Sequence, residues 1–168
     1  GCYRVFFGIE TGSDTVLKII RKGETCEDVR RAVRMSKKAG LEVHGFFMLA
    51  LPGETENTMR ETIDFAKELD LDMAKVAITV PLPSTPYFEQ LDREGKIKTR
   101  DWSKYNLYFP ARELYDLPGL DWDTVETYYK KFYREYYFRP RFMIKRFWGS
   151  LVRAQLLNDI KAFFQVKW

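Results

Sequence analysis

Along the first eighty residues the apolar positions switch repeatedly between a strand period and a helix period. Tyr3 to Ile9 (YRVFFGI) is a short β-branched and aromatic run, which predicts a strand. After the turn-prone Thr11-Gly12-Ser13, the residues Val16, Ile19 and Ile20 share one helical face, and Gly23 can end that helix. Thr25 is placed to cap a second helix, with Asp28 three residues on. Val29, Ala32, Val33 and Ser36 then keep the i, i+3, i+4, i+7 rhythm until Gly40. Val43 to Leu49 predicts a second strand. The helical pattern returns from Thr55 to Leu69 through Met59, Ile63 and Ala66, and Ala74 to Val80 predicts a third strand, stopped by Pro81 and Pro83. Alternation of this kind implies parallel strands with right-handed crossovers, as in a doubly wound sheet or part of a (β/α)₈ barrel. Near-continuous apolar strands agree, since parallel strands are normally covered on both faces.

In either architecture ligands gather at the C-terminal ends of the strands. Three segments fall there: Gly8-Ile9-Glu10-Thr11-Gly12, Leu49-Ala50-Leu51-Pro52-Gly53-Glu54 and Thr79-Val80-Pro81-Leu82-Pro83. Each alone reads as an ordinary turn, a helix-dipole carboxylate or a strand stop. Their repetition at one rim favours a binding role.

Composition narrows the classes. The chain has 168 residues, 45% hydrophobic and 16% aromatic, enough to bury a core of ordinary size. No apolar stretch reaches the ~20 residues of a membrane-spanning helix, and GCYRVFFGIE lacks the regions of a signal peptide. The expected location is the cytoplasm. Cys2 and Cys26 are too few and too far apart for a disulfide framework or a metal knuckle and read as reduced thiols. His44, the single histidine, lies near the start of a strand and reads as structural. The net charge of +4 is uneven: residues 121–168 carry ten Lys/Arg against five Asp/Glu.

GIETGSDTVLKIIRKG, GFFMLALPGET and VPLPSTPYFEQL, in that order and spacing, resemble the second half of a radical S-adenosylmethionine (SAM) barrel, where the usual wording is GIESGS, a basic residue and Gly, GLPGET and PxPGTP. The resemblance covers about the first 90 residues. The tail YYKKFYREYYFRPRFMIKRFW resembles the helical end of cobalamin-binding members, including relatives of the magnesium-protoporphyrin ester oxidative cyclase. The implied fold is α/β: a partial TIM-like barrel over residues 1–95, a connecting segment over 96–120 and a helical, basic, aromatic extension over 121–168. By the same resemblance, Glu10 hydrogen-bonds the SAM ribose, Lys22 meets the SAM carboxylate, Met48 packs on the adenine, and the Thr79-Val80 edge reads the base. Glu54 either caps the following helix or braces the rim, in preference to touching the ligand. The family commonly has Gly where Ala50 and Ser84 stand, so a positive φ at either position would be strained here.

The family also uses a CxxxCxxC loop to hold a four-iron, four-sulfur cluster. This sequence has no such spacing, and no catalytic or metal-ligating residue is assigned to it. The chain therefore reads as the C-terminal fragment of an enzyme, inactive alone, that adds the SAM-binding rim to a missing N-terminal half-barrel. The parent would cleave SAM reductively at its cluster, for radical or methyl-transfer chemistry, with cobalamin as an implied further cofactor. The alternative is a non-catalytic α/β nucleotide-binding or interaction domain, and sequence upstream of Gly1 would separate the two. SAM and an unidentified substrate are the expected partners. Nucleic acid is not expected, because no recognition motif accompanies the modest charge. Val125, Tyr128, Tyr129, Phe132 and Tyr136 keep helical spacing and should pack on the barrel. Arg139, Arg141, Lys145, Arg146 and Arg153 among Phe142, Phe147 and Trp148 leave peripheral membrane contact through 139–168 as an option.

Overall fold

A computed structural model of the chain describes residues 1–144. Three strands, β1 (Arg4–Glu10), β2 (Glu42–Leu49) and β3 (Met73–Ile78), form one sheet in the order β1-β2-β3, with both pairings parallel. Helices α1 (Asp14–Ile19) and α2 (Cys26–Lys38) connect β1 to β2, and α3 (Glu56–Leu69) connects β2 to β3. Then come α4 (Pro86–Arg93), 3₁₀ turns at Trp102–Lys104 and Ala111–Glu113, and α5 (Trp122–Tyr137). The three C-terminal strand ends lie on one edge, as the alternation predicts. β3 is shorter than the Ala74–Val80 run, yet Thr79 N still donates to Leu49 O at 2.9 Å.

Local chemistry explains the boundaries. Thr25 and Asp28 form the reciprocal capping box that starts α2, and Thr55 with Thr58 does the same for α3. Thr85 accepts from Phe88 N at the start of α4, with Pro86 in the first helical turn. On α1 the buried residues are Val16 and Leu17. Ile19 is instead 48% exposed, because the helix is too short to bury the face that its spacing suggests.

The core lies on one side of the sheet. Ile9, Val43, Phe47, Leu49, Ala74 and Val76 are buried against Val29, Val33, Met59, Ile63, Ala66 and Phe132. Gly12 lets the β1–α1 loop touch α3, since a Cβ there would sit 2.7 Å from Glu61 O and 2.9 Å from Thr62 Cα. The contact is fixed by Thr62 Oγ1, which meets Thr11 Oγ1 at 2.9 Å and accepts from Gly12 N at 3.0 Å. The opposite sheet face, expected to be covered as well, presents exposed Phe6 and Phe46 together with Met48 and Lys75. In a closed barrel this face would be the interior.

α5 packs as its spacing predicts, burying Val125, Tyr128, Phe132 and Tyr136 against α3 and β3. It also completes the outer edge of β3. Tyr133 OH donates to Val76 O at 3.0 Å and accepts from Val76 N at 3.3 Å, while Tyr137 OH does the same for Ala74 at 2.7 and 3.2 Å. A phenolic hydroxyl can donate and accept at once, so two side chains one helical turn apart satisfy two residues of strand edge. Arg60 makes two 2.7 Å bonds to Glu135, and Lys67 joins at 3.1 Å. Hydrogen bonding by Arg60 holds the Glu135 carboxyl down at about 2. The single core draws on residues from 1–95, 96–120 and 121–144 alike, including Tyr105, Leu114 and Tyr115 of the connecting segment. The remainder of the basic, aromatic tail from residue 145, with Lys145, Arg146, Phe147, Trp148 and Arg153, lies outside the described residues.

Candidate functional site

The rim begins where β1 ends. Glu10 has φ 65°, and the β1–β2 register slips between Gly8 and Glu10, so the strand end turns back over its own inner face. The turn carries the Glu10 carboxylate over Gly8. A Cβ at Gly8 would lie 2.9 Å from Glu10 Oε1 and 3.6 Å from Lys22 Nζ, so a side chain there would push the carboxylate from its place. Lys22 Nζ donates to Glu10 Oε1 at 3.0 Å, and both side chains remain partly exposed, at 28% and 22%. The structure therefore joins two of the predicted site residues directly, across twelve residues of sequence.

Met48 lies on the same inner face, paired in register with Ala77, because Phe47 and Leu49 turn toward the helices. Thr79 is buried. Its N–H and hydroxyl both donate to Leu49 O, and its carbonyl accepts from Tyr115 OH at 2.9 Å. Those bonds fix the β3 exit just before half-buried Val80.

The LPGE turn is braced from inside. Glu54 is 4% exposed and accepts from Leu51 N at 3.2 Å, while Thr55 takes the cap of α3. Of the two roles left open for Glu54, the turn brace is the one observed. Its Oε1 is buried with no hydrogen-bond partner among the described residues. Burial pushes the carboxyl up to about 7, against the lowering effect of the Leu51 and Ala50 backbone. Ala50 and Ser84 have φ 61° and 65°, so both departures from glycine occupy the left-handed region. For a residue with a Cβ that conformation costs about 1–2 kcal/mol. The rim stores backbone strain at both turns.

An iron–sulfur cluster does not fit the cysteines of this chain. Cys2 is exposed, and Cys26 is buried at the start of α2, where burial and Asp14 push its thiol up to about 12. A cluster ligand must be a thiolate. Among the described residues no group of three or more His, Cys, Asp or Glu could hold a metal ion. His44 pairs with Glu42 at 2.9 Å and touches the edge of Phe6, far down the strand from the rim. No helix among the described residues is long and apolar enough to cross a membrane.

Lys75 belongs to none of the rim motifs. It interrupts the apolar MAKVAI strand and stands on the inner face, opposite Phe46. The available signal was a lone charge inside an otherwise apolar run.

Parallel strands, helices on one face and a polar rim at the C-terminal strand ends define part of a TIM-like α/β barrel. Residues 1–66 match the model of the radical SAM superfamily. Over 98% of its length the chain is 32% identical to a protein of Pyrococcus horikoshii described as an uncharacterised methyltransferase, covering 36% of that protein. It is 29% identical over 98% of its length to the anaerobic magnesium-protoporphyrin IX monomethyl ester cyclase of Rubrivivax gelatinosus, covering 29% of it. Elp3 of Methanocaldococcus infernus superposes with a TM-score of 0.54 at 20% identity, over 80% of this chain and 37% of that one, and so shares the fold. These likenesses are those of a partial radical SAM domain, a family that implies SAM and a four-iron, four-sulfur cluster. The chain spans about a third of the length of these relatives.

Proposed function

We propose that this chain supplies the SAM-binding rim of a radical SAM enzyme. The observation that carries the reading is the Glu10–Lys22 pair, set over Gly8 at the C-terminal end of β1. A carboxylate there suits two vicinal ribose hydroxyls, and the ammonium beside it suits the carboxylate of the amino-acid end. On ligand binding Lys22 exchanges one carboxylate for another, so little charge is left unpaired. Met48 and Ala77 offer an apolar floor for the adenine, and the Val80 backbone offers the edge that meets the base. Thr79 positions that edge through its bonds to Leu49, and Glu54 keeps the LPGE turn in shape.

SAM bound in such an enzyme supplies either a hydrogen-abstracting radical or a methyl group. The cluster ligands would come from other residues of the whole protein, and no electron-transfer step is assigned to this chain. The finer reading, a cobalamin-dependent parent, is supported by the tail's resemblance and by the cyclase and methyltransferase relatives.

The test uses this chain with 13C-labelled methionine methyls. Addition of millimolar SAM should shift the Met48 methyl through the adenine ring current and leave exposed Met35 and Met143 in place. A Met48 signal that stays fixed, or shifts shared equally by all three, would defeat the assignment.

A further inference from the structure

A cavity of about 390 Å³ opens beside β3, between its outer edge, the segment 107–112 and α5. That volume is typical of small-molecule sites. Its walls are mostly apolar, with Val80, Phe109, Trp122 and Tyr129 among them, while Leu107 and Tyr108 stand at its margin 69% and 99% exposed. Charge is present in a specific form. Arg112 is already engaged by Asp123 at 2.6 Å and Glu126 at 3.4 Å. Lys75 is exposed on the inner sheet face and lines the same cavity. Among the described residues it has no ion-pair partner. Solvent carries the Lys75 ammonium in the free chain, and its lack of an ion pair leaves it available to an anion seated against the apolar walls.

We propose that this cavity is a substrate subsite for a small molecule with an apolar body and a carboxylate, the carboxylate meeting Lys75. A single point-charge lysine matches a monoanion better than a phosphate dianion, which calls for further donors. Val80 belongs both to this cavity and to the proposed adenine edge, so a molecule held here would lie next to the adenosyl group. The role as a substrate subsite rests on the SAM reading above, whereas the binding of an apolar carboxylate does not.

The test is fluorescence titration of the chain with 1-pyrenebutyrate and its neutral amide, in the parent and in Lys75→Met, Lys75→Glu and Ala77→Phe, each checked for folding by circular dichroism. Lys75→Met should weaken the carboxylate about tenfold or more while leaving the amide within about twofold. Lys75→Glu should weaken the carboxylate further, and Ala77→Phe, which narrows the cavity, should weaken both probes. Equal losses of both probes in Lys75→Met, unchanged carboxylate binding in Lys75→Glu, tighter binding of 1-naphthyl phosphate than of 1-naphthoate, or no binding at all would overturn the proposal. A fixed Met48 signal with SAM alongside a Lys75-dependent carboxylate site would sink the SAM reading and the substrate role, but not the site.

Discussion

Glu54 shows how much of this rim depends on one side chain whose role a sequence pattern leaves open. LPGET marks a turn entering a helix, but the pattern alone does not say that Thr55 takes the cap and leaves Glu54 to fold inward beneath Leu51. Burial raises the folded carboxyl from 4.5 to about 7. The folded state therefore holds this proton more tightly than the unfolded chain. The resulting stability is fully present below about pH 4.5 and is lost as pH rises to about 7, a change on the order of 3 kcal/mol. Urea unfolding of the parent and of Glu54→Gln across pH 5 to 8 should show that fall in the parent and a flatter profile in the variant, and parallel profiles would contradict it. Glu10 and Lys22 were legible as candidates, because the family wording places them twelve residues apart at one rim, where the two side chains meet. The left-handed φ at Ala50 and Ser84 follows from the same wording, since the glycines commonly found there anticipate the conformation. The place of Lys75 in the cavity beside β3 was not legible, because it comes from the neighbours that β3 and the 107–112 segment bring around it.

At the scale of elements, period and caps placed all three strands and the helices α2 and α3 to within a residue or two, since each has a continuous apolar face and a definite start signal. The way β3 ends the sheet was not legible. Tyr133 and Tyr137 fall outside the stripe formed by Val125, Tyr128, Tyr129, Phe132 and Tyr136, yet their hydroxyls serve the open edge of a strand about sixty residues earlier. Periodicity reports which face of a helix is apolar, and is silent on where the polar tip of an amphipathic ring will find its partner. Removing either hydroxyl strands an N–H and a C=O of β3 in a partly buried edge. Tyr133→Phe and Tyr137→Phe should each cost roughly 1–3 kcal/mol in urea denaturation. Unchanged midpoints in both would mean that solvent serves the edge equally well.

For the molecule as a whole, the two edges of the sheet are unlike. α5 covers the β3 side, whereas β1 pairs only with β2 among the described residues, and the face carrying Phe6 and Phe46 is open. Such an edge and face suit further strands that would close a barrel around the proposed adenosyl site. The relatives, about three times as long, have room for those strands. Central to the proposed function is a carboxylate at the end of β1 that holds the ribose of SAM. Isothermal titration of SAM into the intact, cluster-loaded protein that carries this segment tests it most directly. Glu10→Ala should weaken binding about ten- to a hundred-fold, the loss of charge-assisted hydrogen bonds of roughly 1.5–3 kcal/mol, and Glu10→Gln should lose less because the amide oxygen still accepts. If Glu10→Ala folds normally and binds SAM as tightly as the parent, the carboxylate serves only to anchor Lys22 and the ribose assignment is wrong.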